Sequence, residues 1–261
     1  MPPNSKVYSY PEYYALAYRW HTAVECEFLR ACLERYGPKK ARRLLDIGCG
    51  AGRHLFQLAE QGYEMAGIDV QPEMIDYIRH QPAAREHSIR AQVDDLHALS
   101  VTGPFDAAYC FMDTFRFLLT NEAILAHLRR VAERLAPGGL YVADFWVPTQ
   151  WDQIANEVHE WEQTEGERTV RVFYVQDPQS VDPVAQTFED ELVFEVQQNG
   201  DVQQIRGGPT RTRLLLPQEF ALLVEHSGVF ELAGRFSDFD LAKPMGQAGA
   251  SWRMVSVLRR R

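Results

Sequence analysis

Three closely spaced glycines follow a short apolar run near residue 45 and could hold a ligand against the backbone. The segment from Leu44 to Gly52 reads LLDIGCGAG, with Gly48 and Gly50 inside it. Glycine permits a tight turn and lets a ligand lie where a Cβ would intrude. A phosphate-binding dinucleotide loop would carry its third glycine one residue later, at Arg53. The loop therefore predicts a small-molecule cofactor site, and a dinucleotide-dependent reductase remains an alternative.

Carboxylates recur at the ends of the apolar runs around this loop. Asp46 lies within the first run, and Asp69 ends the next one, seventeen residues beyond Gly52. A carboxylate at the end of a second strand can accept hydrogen bonds from both hydroxyls of a ribose. Asp94 and Asp95 end the third run, where a side-chain acceptor could read the amino group of an adenine. The structural alternatives are that Asp46 caps local backbone and that Asp94 is an ordinary turn residue.

The elements that must position these residues follow a repeating strand and helix pattern. Short apolar runs alternate with stretches of helical period from residue 43 onward, which is typical of βαβ units around a parallel sheet. We therefore predict a doubly wound α/β fold. Its first five strands are expected at residues 44–47, 63–68, 89–93, 105–111 and 140–145.

The hydrophobic period changes after strand five. Apolar and polar residues alternate over 170–175 and 188–196, and Asn199-Gly200 is a hairpin turn signal. These features predict an antiparallel sheet inserted over residues 148–215. Only one of its faces can pack on the larger sheet, so a homodimer is expected to cover the face that carries Phe188, Leu192, Phe194 and Val196.

A helix opening at Pro217 and two strands, 229–236 and 252–258, follow the insertion. The expected domains are an N-terminal helical segment of residues 1–40, a sheet domain of residues 41–147 and 216–261, and the insertion itself.

Composition narrows the classes of function. A formal net charge of −9 argues against a nucleic-acid-binding surface, which needs clustered Lys and Arg. No apolar stretch approaches the roughly 20 residues that span a bilayer, so a cytoplasmic protein with no membrane partner is expected. The four cysteines lack paired spacing and the eight histidines are scattered, so no metal site is expected. A small molecule is the expected partner.

Five segments in series match a known pattern. DIGCGAGR, GIDV, VDDLHAL, FDAAYCF and LAPGGLYVADF resemble, in order and spacing, the motifs of class I S-adenosylmethionine-dependent methyltransferases. The resemblance covers residues 43–146. It implies a mostly parallel seven-stranded sheet with an antiparallel last strand, and S-adenosyl-L-methionine as the cofactor. The aromatic N-terminal segment and the insertion are similar to small-molecule members that methylate amino sugars or glycine, so an amine or hydroxyl acceptor is implied.

The resemblance implies which residues at the strand ends would contact each part of the cofactor. Asp46, Gly48, Gly50 and Gly52 would hold its methionine part, with Arg53 either pairing with its carboxylate or facing solvent. Asp69 would bind the ribose. The residues expected to contact or border the adenosine part are Val70, Met74, Asp94, Asp95, Leu96, Cys110 and Phe111.

The N-terminal segment adds a tyrosine cluster. Tyr13, Tyr14 and Tyr18 are spaced for one face of a helix, which suits either ordinary packing or a lid. As a lid, Tyr14 would contact the cationic sulfur of the cofactor and exclude water, so it is a candidate for both cofactor binding and catalysis.

The acceptor is expected beyond the carboxyl ends of strands four and five, because ligands of open α/β sheets bind there. The residues so nominated are Met112, Asp113, Arg116, Phe117, Asp144 and Trp146. Asp113 is the candidate for orienting an amine or taking its proton. The alternatives to a methyltransferase are an NAD(P)-dependent oxidoreductase, which Arg53 disfavours, and a non-catalytic cofactor-binding protein that dimerises through the insertion.

The series from Asp46 to Asp95 predicts which cofactor binds. Calorimetry with S-adenosylhomocysteine should give a micromolar dissociation constant, on the order of −8 kcal/mol. NAD and NADP should give no heat, because the loop lacks the third glycine of a dinucleotide site. Tight binding of NAD would contradict the methyltransferase interpretation.

Overall fold

The structure, a computed structural model, describes residues 5–148, 158–246 and 253–261. Its strands are β1 (Arg43–Ile47), β2 (Glu64–Asp69), β3 (Arg90–Val93), β4 (Phe105–Cys110), β5 (Leu135–Trp146), β6 (Val158–Glu165), β7 (Arg168–Asp182), β8 (Thr187–Gln198), β9 (Asp201–Arg213), β10 (Phe230–Ser237), β11 (Asp240–Pro244) and β12 (Arg253–Arg260). Its α-helices are α1 (Pro11–Ala17), α2 (Thr22–Tyr36), α3 (Arg53–Glu60), α4 (Pro72–His80), α5 (Pro82–Glu86), α6 (Asn121–Arg134) and α7 (Pro217–Ser227), and short 3-10 helices cover Lys6–Ser9, Arg19–His21 and Thr114–Phe117.

The larger sheet has the strand order β3-β2-β1-β4-β5-β12-β10-β11. Strands β1 to β5 pair in parallel, whereas β12 is antiparallel to both β5 and β10. The chain runs outward from β1 to β3 and then returns to β4, so the strand order reverses between β1 and β4. This arrangement confirms the predicted doubly wound, mostly parallel sheet. A ligand is expected at the carboxyl ends of the strands beside this reversal.

The sheet has one strand more than the predicted seven. The additional strand, β11, pairs antiparallel with β10 at the edge. Asp238 and Phe239 form the connecting turn, and both have positive φ values, +54° and +58°. Two-residue hairpin turns of this kind favour Asn and Gly. The turn therefore lacks the sequence signal by which a strand pair is recognised.

Both faces of the parallel sheet are buried, as is usual when helices cover each side. One face packs on α6 and α7 through residues such as Leu128 and Phe220. The opposite face packs on α2, α3 and α4, with Leu29 in α2 fully buried. Helix α2 is thus part of the sheet domain, although residues 1–40 were predicted to form a separate helical segment. No helix within the described residues is long and apolar enough to cross a membrane.

The inserted antiparallel sheet is confirmed, with the order β6-β7-β8-β9 and a hairpin turn at Asn199-Gly200. Its Leu192, Phe194 and Val196 pack against residues of the N-terminal segment, among them Val7, Leu16 and Tyr18. The apolar face that was expected to need a second copy is therefore covered by the same chain. A homodimer stays a prediction, without this reason for it.

A buried histidine connects α6 to both the sheet and the loop after β3. His127 Nδ1 lies 2.7 Å from the carbonyl oxygen of Leu96, and Nε2 lies 2.8 Å from the hydroxyl of Tyr141 in β5. Burial lowers the pKa of His127 to about 4, although the hydrogen bond to Leu96 acts in the opposite direction. The ring is therefore neutral at pH 7, with Nδ1–H donating to Leu96 and Nε2 accepting from Tyr141.

This arrangement predicts how stability changes with pH. The unfolded chain takes up a proton on His127 near pH 6.5, whereas the folded protein does so only near pH 4, so stability is lost as pH falls through this window. His127→Gln removes the titration. The stability advantage of the natural protein over this variant should shrink by about 2 kcal/mol between pH 7.5 and pH 5. Urea unfolding of both proteins measures it, and an advantage that is equal at the two pH values would contradict a neutral buried ring.

Candidate active site

Two adjoining cavities lie at the carboxyl ends of β1 to β4, where the strand order reverses. The first encloses about 720 Å³, including open solvent at its mouth, and the second about 370 Å³. Tyr14, Gly48 and Gly50 border both of them. A single elongated ligand that follows the glycine loop could therefore occupy both cavities.

The loop after β1 requires glycine for its conformation and for the space around it. Gly48 and Gly50 have φ values of +77° and +50°, in the left-handed region. A Cβ on Gly48 would lie 2.5 Å from Cγ2 of Thr114, and one on Gly50 would lie 3.0 Å from Cε1 of Tyr14. Gly52, the third predicted glycine, lines neither cavity and instead precedes α3, with φ of +84°.

Asp69 lies at the end of β2 and lines the first cavity. Its Oδ2 accepts a hydrogen bond from the Gly50 N–H (2.8 Å), and its Oδ1 accepts one from the Gln71 N–H (2.9 Å). Burial raises the pKa of Asp69 to about 6, against the lowering effect of these hydrogen bonds. The carboxylate therefore ties the glycine loop to the loop after β2, and it also faces the space where a ribose was predicted.

The residues predicted around the adenosine part share the first cavity with Asp69. They are Val70, Met74, Asp94, Asp95 and Leu96. The carboxylate of Asp94 is used within its own loop, because Oδ2 accepts hydrogen bonds from Ser100 Oγ (2.9 Å) and the Val101 N–H (3.0 Å). The side chain of Asp94 thus acts as that of an ordinary turn residue, which was the alternative interpretation.

Asp95 is held differently, at the rim of the cavity. Its Oδ1 lies 2.7 Å from both the backbone N–H and Nδ1 of His97. Partial burial raises the pKa of Asp95, but the hydrogen bonds from His97 outweigh this effect and lower it. An ionised carboxylate is thus available as an acceptor beside Leu96, whose carbonyl His127 fixes.

The second cavity contains two buried atoms of opposite charge that lack hydrogen-bond partners among the described residues. They are Oδ2 of Asp46 and Nη2 of Arg53. His54 Nδ1 lies 3.7 Å from that Asp46 oxygen, beyond hydrogen-bond distance. A buried carboxylate oxygen and a buried guanidinium nitrogen are costly to leave unpaired. An amino acid moiety would pair with both, its ammonium with Asp46 and its carboxylate with Arg53.

Behind Arg53 lies a residue that the sequence reasoning missed. Glu25 of α2 is fully buried, and its Oε2 contacts Arg53 Nη1 and lies 2.8 Å from His54 Nε2. Its Oε1 accepts from Arg253 Nη2 (3.1 Å). Burial raises the pKa of Glu25, but Arg53, His21 and His54 hold it well below its usual range. The available signal was a glutamate on the apolar face of α2, next to Cys26 and one turn before Leu29.

Two consecutive strained residues lie in the loop after β4, on the acceptor side. Met112 and Asp113 have φ values of +59° and +63°, which is uncommon for residues with a side chain. Met112 lines the second cavity, as predicted, and its N–H donates to Asp144 Oδ1 (2.8 Å). Burial raises the pKa of Asp144 to about 6, while Arg253 lowers it.

Three residues predicted to touch the acceptor are engaged in the protein itself. Arg116 is 1% exposed, and its Nε and Nη2 donate to the Arg213 carbonyl and Thr212 Oγ1 of β9, both at 2.8 Å. Trp146 packs beside this guanidinium, 5.4 Å from ring centroid to Cζ. Asp113 accepts from the Trp146 N–H (2.6 Å) and pairs with Arg116 (3.2 Å). None of the three lines either cavity. They fasten the inserted sheet to β4 and β5.

Two cofactor predictions at the end of β4 also need correction. Cys110 is fully buried against α6 and lines neither cavity, because alternate residues of a strand point to opposite faces. Phe111 points to the other face and lines the second cavity, with Asp46 and Arg53. It is therefore placed beside the amino acid end of the site rather than beside an adenine.

Tyr14 lies where the sequence placed it, over the glycine loop. Its ring stacks on Tyr18 at 4.4 Å and contacts Tyr8 and Phe194 at 5.8 and 6.4 Å between ring centroids. Burial raises the pKa of Tyr14 far above pH 7, so its hydroxyl stays protonated. The ring therefore has the packing role that was predicted as one alternative and also lines both cavities, and the lid stays a prediction.

Other lining residues were not singled out from the sequence. In the first cavity they are Tyr8, Ile68, Gln71, His97 and Thr114, and in the second Ala15, Cys49, Ala51 and His54. Most adjoin a predicted residue along the chain, so a wider window around each motif would have included them. Phe117, nominated for the acceptor, lines the first cavity. Among the described residues, no group of three or more His, Cys, Asp or Glu side chains could hold a metal ion.

Known proteins resemble this chain in the part that forms the site. Residues 44–139 match the family described as a methyltransferase domain. A dTDP-3-amino-3,4,6-trideoxy-alpha-D-glucopyranose N,N-dimethyltransferase of Streptomyces venezuelae is 29% identical over 117 residues, which cover 44% of this chain and 47% of that protein. The chain spans about half the length of the first curated relatives it matches.

Solved structures match over most of the length. An S-adenosylmethionine-dependent methyltransferase from Clostridium acetobutylicum superposes with a TM-score of 0.71 at 14% identity, covering 91% of each chain. CalS10, an amino pentose methyltransferase from Micromonospora echinaspora solved with S-adenosylmethionine bound, gives a TM-score of 0.65 at 22% identity, covering 93% of this chain and 92% of that one. At such identities the likeness shows the fold.

The motif series, the two cavities at the strand reversal and the family match agree with one another. The unpaired atoms Asp46 Oδ2 and Arg53 Nη2 would suit the amino acid end of S-adenosylmethionine, and Asp69 and Asp95 would suit its nucleoside end. Residues 44–139 therefore match a methyltransferase domain, and the larger sheet has the fold of S-adenosylmethionine-dependent methyltransferases.

Proposed function

We propose that the protein is an N-methyltransferase that transfers the methyl group of S-adenosylmethionine to an amine of a small molecule. The observation that carries the proposal is the second cavity, which is lined by Asp46 and Arg53, each with an unpaired buried atom, and by Met112 on the acceptor side. The names of the amino sugar methyltransferases described above support an amine as the acceptor.

The amino acid part of the cofactor is assigned to the second cavity and its nucleoside part to the first. Asp46 and Arg53 hold its ammonium and carboxylate, Asp69 accepts from the ribose hydroxyls, and Asp95 accepts from the adenine amino group. When bound, S-adenosylmethionine supplies a methyl group on a positively charged sulfur. The chain's own contribution is to bind, align and dehydrate, because in-line displacement depends mainly on alignment and exclusion of water.

Tyr14 covers the junction between the two cavities. Its ring borders both, with Cε1 3.0 Å from where a Cβ of Gly50 would lie. An aromatic face at this point would stabilise a nearby cation by about 0.5–2 kcal/mol. We assign Tyr14 the roles of excluding water and contacting the sulfur end of the cofactor.

An amine is favoured over a hydroxyl because the two histidines that line the cavities, and the nominated base Asp113, are already hydrogen-bonded to the protein. His54 contacts Glu25, His97 contacts Asp95, and both oxygens of Asp113 are engaged. A hydroxyl acceptor needs a general base, whereas a neutral amine attacks with its own lone pair. Asp113, first nominated as a base, is instead assigned the task of fixing the end of β5.

The pKa of Asp69 predicts how cofactor affinity depends on pH. This pKa is raised to about 6 by burial, and the ionised carboxylate is the form that accepts from two hydroxyls. Affinity for S-adenosylhomocysteine should therefore be constant above pH 7 and fall by up to about tenfold per pH unit below 6. Asp69→Asn should bind more weakly at pH 8 by about 2 kcal/mol and lose this dependence. Calorimetry from pH 5 to 8 measures both, and an unchanged slope in the variant would assign the titration to another group.

The acceptor class can be tested with matched compounds. A nucleotide-linked amino sugar and its counterpart with a hydroxyl at the same carbon should differ, with methyl transfer to the amine only. Since only the neutral amine attacks, kcat/KM should rise with pH until the acceptor's own pKa is passed. Formation of S-adenosylhomocysteine and of the methylated product measures the rate. Transfer to the hydroxyl compound alone would contradict the amine proposal while leaving the methyltransferase assignment intact.

A further inference from the structure

The buried carboxylate of Glu25 lies outside both cavities and touches the residue that faces the cofactor's carboxylate. Its side chain is 0% exposed and contacts four charged or titratable residues. These partners are Arg53, His54, His21 and Arg253. A role other than stability is to be sought for these contacts, because a buried ionic network often contributes no net free energy of folding.

The contacts of Arg53 indicate such a role. Nη1 contacts Glu25 Oε2 and donates to Thr22 Oγ1 (3.1 Å), whereas Nη2 is buried without a hydrogen-bond partner among the described residues. A guanidinium is a planar fork, so fixing one nitrogen fixes the direction of the other. Glu25 and Thr22 thus fix the guanidinium of Arg53, a residue that lines the second cavity and whose Nη2 is left to bind a ligand.

Glu25 is itself held from the opposite end of the site. Arg253 Nη2 donates to Glu25 Oε1 (3.1 Å), and Arg253 Nε donates to Asp144 Oδ2 (2.6 Å). Asp144 in turn accepts from the Met112 N–H (2.8 Å). A continuous chain of hydrogen bonds therefore joins Arg53 to the strained loop that ends β4. The two carboxylates and two guanidiniums in this chain balance in formal charge.

We propose that Glu25 is a positioning residue that fixes Arg53 for the carboxylate of the cofactor. The inference rests on the proposed cofactor arrangement and goes beyond it by assigning a role to a side chain outside both cavities. It follows that Glu25 governs how strongly the site distinguishes a cofactor that carries an amino acid end from a nucleoside that lacks one.

Two ligands separate this role from a structural one. S-adenosylhomocysteine has the amino acid end, and 5′-methylthioadenosine has the same thioether nucleoside without it. In Glu25→Gln, the dissociation constant of S-adenosylhomocysteine should rise about tenfold, equivalent to about 1.4 kcal/mol, while that of methylthioadenosine should stay within about twofold. Glu27→Gln is the matched control, since it makes the same change at an exposed position of α2 and should alter neither constant.

A double-mutant cycle tests whether Glu25 acts through Arg53. Arg53→Met should lower affinity for S-adenosylhomocysteine and spare methylthioadenosine, and adding Glu25→Gln to it should cause no further loss. An equal loss for both ligands in Glu25→Gln, an unchanged or tighter binding of S-adenosylhomocysteine, or full additivity in the double variant would each overturn the proposal. If the natural protein binds neither ligand, the proposed function fails instead.

A second variant keeps the test decisive if Glu25→Gln does not fold. Thr22→Val removes the hydroxyl that accepts from Arg53 and keeps every charge in place, whereas Thr22→Ser restores that hydroxyl. Thr22→Val should weaken S-adenosylhomocysteine binding about threefold and leave methylthioadenosine unchanged, and Thr22→Ser should bind like the natural protein. Equal binding by the Val and Ser variants would show that the orientation of Arg53 does not depend on these contacts.

Discussion

The carboxylate of Asp69 holds together the two loops on which the rest of the site depends. One oxygen accepts from the Gly50 N–H and the other from the Gln71 N–H, so the loops after β1 and β2 share one anchor. Burial of this charge opposes the arrangement, as its pKa of about 6 shows. The N–H groups of Gly48 and Cys49 donate to the Ile68 carbonyl at the end of β2, and Asp69 adds the contact that satisfies the Gly50 N–H. A ribose bound here would therefore share oxygens that already stabilise the fold.

The same opposition between burial and charge recurs along the strand ends. Asp144 also has a pKa raised to about 6, and Arg253 beside it limits the rise. Each of these buried charges has a counter-charge or several N–H donors, which is the condition for keeping it in the interior. Among the described residues that line the two cavities, the buried side-chain atoms without a hydrogen-bond partner are Asp46 Oδ2 and Arg53 Nη2. The buried charged atoms of these residues thus have hydrogen-bond partners except where the ammonium and the carboxylate of an amino acid would fit.

The parts predictable from sequence are those that lie close together along the chain. Asp69 ends the strand after the glycine loop, so local order alone placed it beside that loop, where the structure has it. Arg116 was misassigned because its partners in β9 lie 96 and 97 residues away, and Glu25 was missed because Arg253 lies 228 residues away. The predictions for Cys110 and Phe111, at the end of β4, differ from the structure for another reason. Their strand was located correctly, but which face each residue joins depends on packing that only the tertiary structure defines.

The cover of the site is built by parts of the chain that the methyltransferase match does not include. That match spans residues 44–139, whereas Tyr8, Tyr14 and Ala15 line the cavities from residues 5–18, which pack on the inserted sheet. These two parts share an apolar core, and Trp161 Nε1 donates to the Ala17 carbonyl (2.8 Å), so they pack as one unit. Tyr14 meets the glycine loop through the edge of its ring. Most residues that line the two cavities lie within the matched segment, and Tyr8, Tyr14 and Ala15 lie outside it. Because a shared fold does not specify what each member methylates, we propose that the unit formed by residues 5–18 and the inserted sheet selects the acceptor.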